Sequence, residues 1–174
     1  MNKIAVIYKS KYGATKKYAE WIAEALSAEL LEASSIKGET LMDYDVVIYG
    51  GGLYAGTING VKLVTNNPTK SLVVFAVGLA DPDTTDFSAI LTNNFTSAQL
   101  PKIKAFLLRG AISYDKLGFA HKCMMGILKK AMAKKDLSQM SGEEKAIAET
   151  RGEDVDFTCR DSIKPLVEYV RSMM

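Results

Sequence analysis

Apolar residues recur along this chain in two rhythms. Largely apolar runs of strand length occupy residues 3–8 (core Ile4-Ala5-Val6-Ile7-Tyr8), Asp45–Tyr49, Ser71–Val77 and Lys102–Leu108, the last interrupted at Lys104, and Glu29–Ala33 forms a shorter one. Such runs, without polar alternation, suit parallel strands buried on both faces. Between them, apolar positions fall at helical spacing. In residues 14–28 they are Ala19, Ile22, Ala23 and Leu26, at i, i+3, i+4 and i+7. Weaker helical segments are predicted at about 59–67, ending before Pro68, and at about 83–95. The last element is a helix with Ile163, Leu166, Val167 and Val170 on one face, Pro165 in its first turn, and Asp161 or Ser162 as its cap. Strands alternating with helices predict an α/β fold: a five-stranded, doubly wound parallel sheet with helices on both faces.

One stretch is surplus to that sheet. Residues 111–158 hold an amphipathic helix near 116–135, then Ser141-Gly142-Glu143-Glu144, a capping-box pattern that opens a further helix. This reads as a helical insertion between the fifth strand and the last helix, within a single domain spanning 1–174. Its first helix carries Lys116, Lys122, Lys129, Lys130, Lys134 and Lys135 in a chain whose net charge is only +2. With Phe119, Met124, Ile127, Leu128 and Met132 available for an apolar stripe, the helix reads either as a solvated face packed on the sheet or as a Met-lined contact whose lysines meet carboxylates or anionic headgroups.

The chemistry concentrates at strand ends. Ser10-Lys11-Tyr12-Gly13-Ala14-Thr15 follows the first strand and opens the first helix. Free N–H groups and the helix dipole make such a turn an anion cradle, with hydroxyl donors from Ser10 and Thr15 and close backbone approach at Gly13. A simple capped turn would show the same residues. No G-x-G-x-x-G follows the first strand, and Ala55-Gly56-Thr57 stands where a P-loop needs lysine, so a mononucleotide phosphate is expected rather than a dinucleotide or nucleoside triphosphate. Two further strand ends carry glycine: Gly50-Gly51-Gly52-Leu53-Tyr54-Ala55-Gly56 and Val77-Gly78-Leu79-Ala80-Asp81. In a doubly wound sheet these loops converge with the first, as a flat ring system requires: one loop for the phosphate, two to sandwich the ring. Glycine would let a backbone peptide reach and flip against the ring edge, and Tyr54 is placed to stack on it, or is an ordinary half-buried tyrosine.

Composition narrows the setting. At 48% hydrophobic and 24% charged residues the chain is an ordinary globular one. The first strand begins after Met1-Asn2-Lys3, and Cys123 and Cys159 make no disulfide framework, so a cytoplasmic protein is expected, with no nucleic-acid partner. The lone His121 argues against a multi-histidine metal site, and lying two residues from Cys123 it cannot form a nucleophile–base pair with it on a helix.

Val6–Thr15 resembles the FMN phosphate loop of the flavodoxin superfamily, with Ser10, Gly13 and Thr15 matching and Tyr12 in place of a threonine. Tyr44–Gly50 resembles the strand leading into the first ring loop of that family. The second half resembles its menaquinone-dependent protoporphyrinogen oxidase branch: Phe106–Tyr114, then Cys123-Met124-Met125 with Lys129-Lys130, then Val155-Asp156-Phe157-Thr158, besides Tyr54-Ala55-Gly56. It departs from the branch at Leu53, where arginine is usual, and at Arg160, where tryptophan is frequent. The resemblance implies FMN as cofactor, with phosphate at Ser10–Thr15 and the ring between Gly51–Gly56 and Gly78–Asp81. It implies an oxidoreductase of heme biosynthesis passing electrons from a porphyrin-like substrate to a quinone. A peripheral contact with the inner face of the membrane through helix 116–135 would go with that role. A diffusible electron carrier docking on a redox partner protein, and a binding module for another phosphate ligand, remain open.

Overall fold

A computed structural model describes residues 2–174. The elements are β1 (Ile4–Lys9), α1 (Ala14–Leu26), β2 (Glu29–Glu32), β3 (Val46–Tyr54), β4 (Thr57–Ile58), α2 (Lys62–Thr65), β5 (Leu72–Gly78), α3 (Ser88–Asn94), β6 (Ile103–Arg109), β7 (Ala111–Ile112), α4 (Phe119–Met132), α5 (Gly142–Glu149), β8 (Val155–Asp156) and α6 (Lys164–Ser172). The parallel strands pair in the order β2-β1-β3-β5-β6, the doubly wound arrangement expected from the apolar runs. The order steps outward from β1 in both directions, so the C-terminal ends of β1, β3 and β5 lie side by side.

Apolar clusters cover both faces. On one, Val6, Ile48, Val73 and Phe75 meet Tyr18 and Ile22 of α1 and Leu166 and Val170 of α6. On the other, Ile7, Val47, Tyr49 and Val74 meet Leu41, Val61, Val64 and Phe95. Register places Tyr8 beside Gly50, Gly50 beside Phe75, and Phe75 beside Phe106. A Cβ on Gly50 would lie 2.0 Å from the Phe75 ring, so the aromatic ring fills the space that a side chain at 50 would need.

Three expectations need correction. The glycines after Tyr49 are not a loop: β3 runs through Gly50, Gly51 and Gly52 to Tyr54. Gly51 is excluded from bearing a side chain by Asn59 O and the Ile58 side chain, 2.6 and 2.7 Å from where its Cβ would stand. The turn comes later, at Ala55-Gly56, which joins β3 to β4 as a tight hairpin. Both turn residues have positive φ, 49° at Ala55 and 77° at Gly56, the twist that a two-residue hairpin favours. Second, the helix expected at 59–67 is the single turn Lys62–Thr65, and that at 83–95 is confined to Ser88–Asn94, its start tied by the Ser88 N–H donating to Asp86 Oδ1 at 2.9 Å. Third, neither Asp161 nor Ser162 caps α6. A 3-10 turn over Arg160–Ile163 precedes it, Asp161 pairs with Lys164 at 3.0 Å, and the Ser162 hydroxyl donates to Cys159 O at 2.7 Å.

The insertion has an apolar cluster of its own. Leu117, Met125, Met132, Ala146 and Ile147 pack together, and Leu79 after β5 joins them from the sheet. The short antiparallel pair β7–β8 closes the base of the insertion, and Phe157 N–H donates to Gly110 O at 3.0 Å. Gly50→Ala is expected to destabilise the fold by about 1–3 kcal/mol through overpacking against Phe75. Urea unfolding would show a lower midpoint at unchanged slope.

Candidate functional site

At the C-terminal edge of the sheet a cavity of about 490 Å³ runs from the turn after β1, past the β3–β4 hairpin, to the loop after β5 and under the insertion. Of the residues singled out from the sequence, Ser10, Lys11, Tyr12, Ala14, Thr15, Gly52, Leu53, Tyr54, Ala55, Gly56, Gly78 and Leu79 line it. Gly13, Gly51, Ala80 and Asp81 do not.

The first turn is built for an anion. Gly13 is the N-cap residue of α1 with φ 100°, and no side chain caps the helix. The first-turn amides are therefore directed out of the helix end without a side-chain acceptor. Gly13 N–H donates to Ser10 Oγ at 3.1 Å, which folds the turn and leaves the Ser10 O–H as a donor. Thr15 is buried at 4% exposure, and Lys11 contributes positive charge at the rim.

Asn94 of α3 fixes the hairpin that forms the next wall. Its amide donates to Gly56 O at 2.8 Å and its carbonyl accepts from Ile58 N–H at 2.8 Å. At the hairpin tip Tyr54 stacks on His121 of α4, with centroids 5.1 Å apart and planes 29° from parallel. Tyr12 reaches the same imidazole by a 2.7 Å hydrogen bond between its hydroxyl and Nδ1. Its oxygen also accepts from Gly118 N–H at 3.3 Å, which leaves the phenol proton for Nδ1. Burial, and then the Lys11 ammonium, hold the His121 pKa below its ordinary value, which favours the neutral ring. Burial and then the neighbouring Tyr12 raise the Tyr54 phenol.

The loop after β5 is gripped from two sides. Gly78 O accepts from Gly110 N–H at 2.6 Å, and Leu79 O from Arg109 Nε at 3.1 Å. Leu79 N–H and Ala80 N–H both donate to the Glu143 carboxylate, at 3.0 and 3.1 Å. Glu143 follows the N-cap of α5, where Ser141 and Glu144 form the capping box that their spacing predicts. The Lys135 ammonium, 2.7 Å away, holds the Glu144 carboxyl below its ordinary range.

Sequence reasoning missed Glu143 and Arg109 and left His121 without a role. A carboxylate in a helix's first turn has a local explanation in the dipole, so nothing nearby marked Glu143 as reaching the sheet. His121 carried one usable signal: on α4 it shares a face with Met125 and Leu128.

The family described as "Flavodoxin domain" matches residues 5–139, and the chain belongs to it. Solved structures similar to this chain include oxidised Flavodoxin 2 from Bacillus cereus, at 17% identity over 85% of this chain and 99% of that one, with a TM-score of 0.46. A flavoprotein in complex with FMN from Lactobacillus acidophilus NCFM is 16% identical over 63% of this chain and 93% of that one, with a TM-score of 0.42. No curated protein matches the chain. The residues present fit FMN: an uncapped helix start with two flanking hydroxyls suits its phosphate, and the cavity between the hairpin and the loop after β5 is of the order a flavin needs.

Proposed function

We propose that this protein is an FMN-dependent oxidoreductase acting on a flat, largely apolar substrate, of the protoporphyrinogen oxidase type, with a quinone as electron acceptor. The observation that carries this reading is the covering of the site. Leu117, Met124, Met125, Leu128 and Ile147 of the insertion line the cavity together with the phosphate turn and the β3–β4 hairpin. A carrier that meets partner proteins at the sheet edge has no need of an apolar roof there. A small apolar substrate does, because the roof excludes water and supplies soft, adaptable contacts.

When bound, FMN supplies the redox chemistry. The chain's own residues bind and orient it: the first-turn amides of α1 with Ser10 and Thr15 at the phosphate, Gly52–Gly56, Gly78 and Leu79 around the ring, with the Ala80 N–H reached only past Glu143. Tyr12 and His121 form a proton-bearing pair at the hairpin side of the cavity. Arg109 is fixed behind the loop after β5, with its guanidinium 3.9 Å from the centre of the Phe157 ring.

The outer face of α4 supports a peripheral membrane contact in the same reading. Phe119 and Ile127 are 85% and 71% exposed, and Lys122 and Lys130 flank them. That is the make-up of a helix lying in the plane of an anionic bilayer surface. Among the described residues no helix is long and apolar enough to cross a membrane.

Each part of the proposal has its test. Replacing Thr15 by alanine is expected to weaken FMN binding by about 1.5–3 kcal/mol, the worth of a hydrogen bond to a charged acceptor. Flavin-fluorescence titration measures it, and unaltered affinity would mean the phosphate lies elsewhere. The FMN-loaded protein, held anaerobically with protoporphyrinogen and a menaquinone analogue, is expected to develop porphyrin fluorescence only when flavin and quinone are both present. Bound flavin without turnover would instead point to a carrier. Sedimentation with phosphatidylglycerol vesicles should be salt-sensitive and should drop on replacing both Phe119 and Ile127 by serine. Equal sedimentation of that variant would remove the membrane contact.

A further inference from the structure

We propose that the helical insertion is a latch on the cofactor site, held shut by Glu143 in the FMN-free chain and loosened when the flavin ring takes over the two amides that Glu143 occupies. The apolar roof is then set over the ring by the substrate rather than by Glu143. This rests on the reading that the site takes FMN. The ring's outer edge presents carbonyl oxygens as hydrogen-bond acceptors, and the loop after β5 is one of the two segments assigned to meet it. That loop's donors, Leu79 N–H and Ala80 N–H, are both spent on the two oxygens of the Glu143 carboxylate. A carboxylate is a two-oxygen acceptor, so it imitates what a ring edge would offer, and one pair of donors cannot serve both.

The surroundings are shaped for this contact. A Cβ at Gly78 would stand 3.0 Å from Glu143 Oε2, so the carboxylate reaches the amides closely because residue 78 carries no side chain. The insertion is also suited to moving as one body. Its apolar cluster is internal, with Leu79 as its apolar tie to the sheet. The further side-chain ties, of His121 with Tyr12 and Tyr54 and of Lys17 with Asp156 and Thr158, are polar or aromatic and solvent-accessible, and the clasp of β7 with β8 lies at its base. Shutting it carries a penalty. Thr85 Oγ1 is buried without a hydrogen-bond partner among the described residues, pressed where Gly142 of α5 passes; a Cβ there would lie 2.6 Å from it. A buried hydroxyl left without a partner strains the shut arrangement, while Glu143 favours it. The apparent affinity for FMN is then reduced by the fraction of molecules in which the latch is shut.

Two substitutions outside the phosphate turn move this balance in opposite directions. Glu143→Ala removes the contact, and Thr85→Val removes the unpartnered hydroxyl at constant shape. Both are compared with the parent full-length chain by FMN titration and by trypsin cleavage at the lysines of 116–135, with thermal melting to confirm folding. Without FMN, Glu143→Ala is expected to be cut in the insertion as fast as the FMN-saturated parent, and to bind FMN about three- to tenfold more tightly, as expected for releasing a shut fraction. Thr85→Val is expected to be cut more slowly and to bind FMN more weakly. Amide exchange at Leu79 and Ala80 should speed up in Glu143→Ala. FMN binding with equal affinity in all three proteins, or slower cleavage of the parent on adding FMN, would overturn the latch while leaving the cofactor assignment standing. Failure of every protein to bind FMN would instead overturn the cofactor assignment and the latch with it.

Discussion

The row of residues running across the sheet at Tyr8, Gly50, Phe75 and Phe106 is the constraint on which the site depends. Parallel pairing puts these four in register on neighbouring strands, and the missing side chain at Gly50 is replaced by the Phe75 ring. The ladder hydrogen bonds set the spacing of β1, β3 and β5, and the bare position at Gly50 gives the Phe75 ring its place under α1 and α6. Parallel pairing in that order brings the three C-terminal ends out together. The Ser10 turn, the hairpin and the loop after β5 share a cavity because that row holds their parent strands in line.

Above this platform the three segments are fixed by different means. The turn after β1 is set by its own backbone, with Gly13 in a left-handed conformation and its amide on Ser10. The hairpin is held from outside by Asn94, which bonds its turn at Gly56 and its returning strand at Ile58. The loop after β5 has its carbonyls held by the neighbouring strand and its amides by the insertion. Rigidity thus falls across the site, from a turn anchored in the sheet to a loop whose donors depend on a separately packed segment.

Local information made the strands, the doubly wound class of the sheet and the turn into the first helix legible in the sequence, since an apolar run or a turn followed by a helix speaks for itself. The capping box at Ser141 was legible for the same reason. The three glycines were misread as a loop because glycine signals only that a side chain does not fit; the obstacles are Phe75 on the next strand for Gly50 and, for Gly51, Asn59 and Ile58 beyond the hairpin turn. The true turn was concealed because one of its two positions is Ala55, a residue that rarely takes positive φ. Glu143 was invisible for a stronger reason. Its partner amides lie 64 and 63 residues earlier, and nothing in its own neighbourhood distinguishes it from Glu144 beside it.

The β7–β8 clasp has a consequence for how such a chain can be altered. Ala111 lies opposite Asp156 and Ile112 opposite Val155, so the chain enters and leaves the insertion at almost the same point, between β6 and the approach to α6. The intervening segment behaves like a cassette with adjacent ends. A short hairpin turn spliced between Ile112 and Val155 would close the gap without lengthening or re-registering a strand of the main sheet. What would be left is the bare sandwich of sheet and helices, with its cofactor edge open to whatever diffuses past.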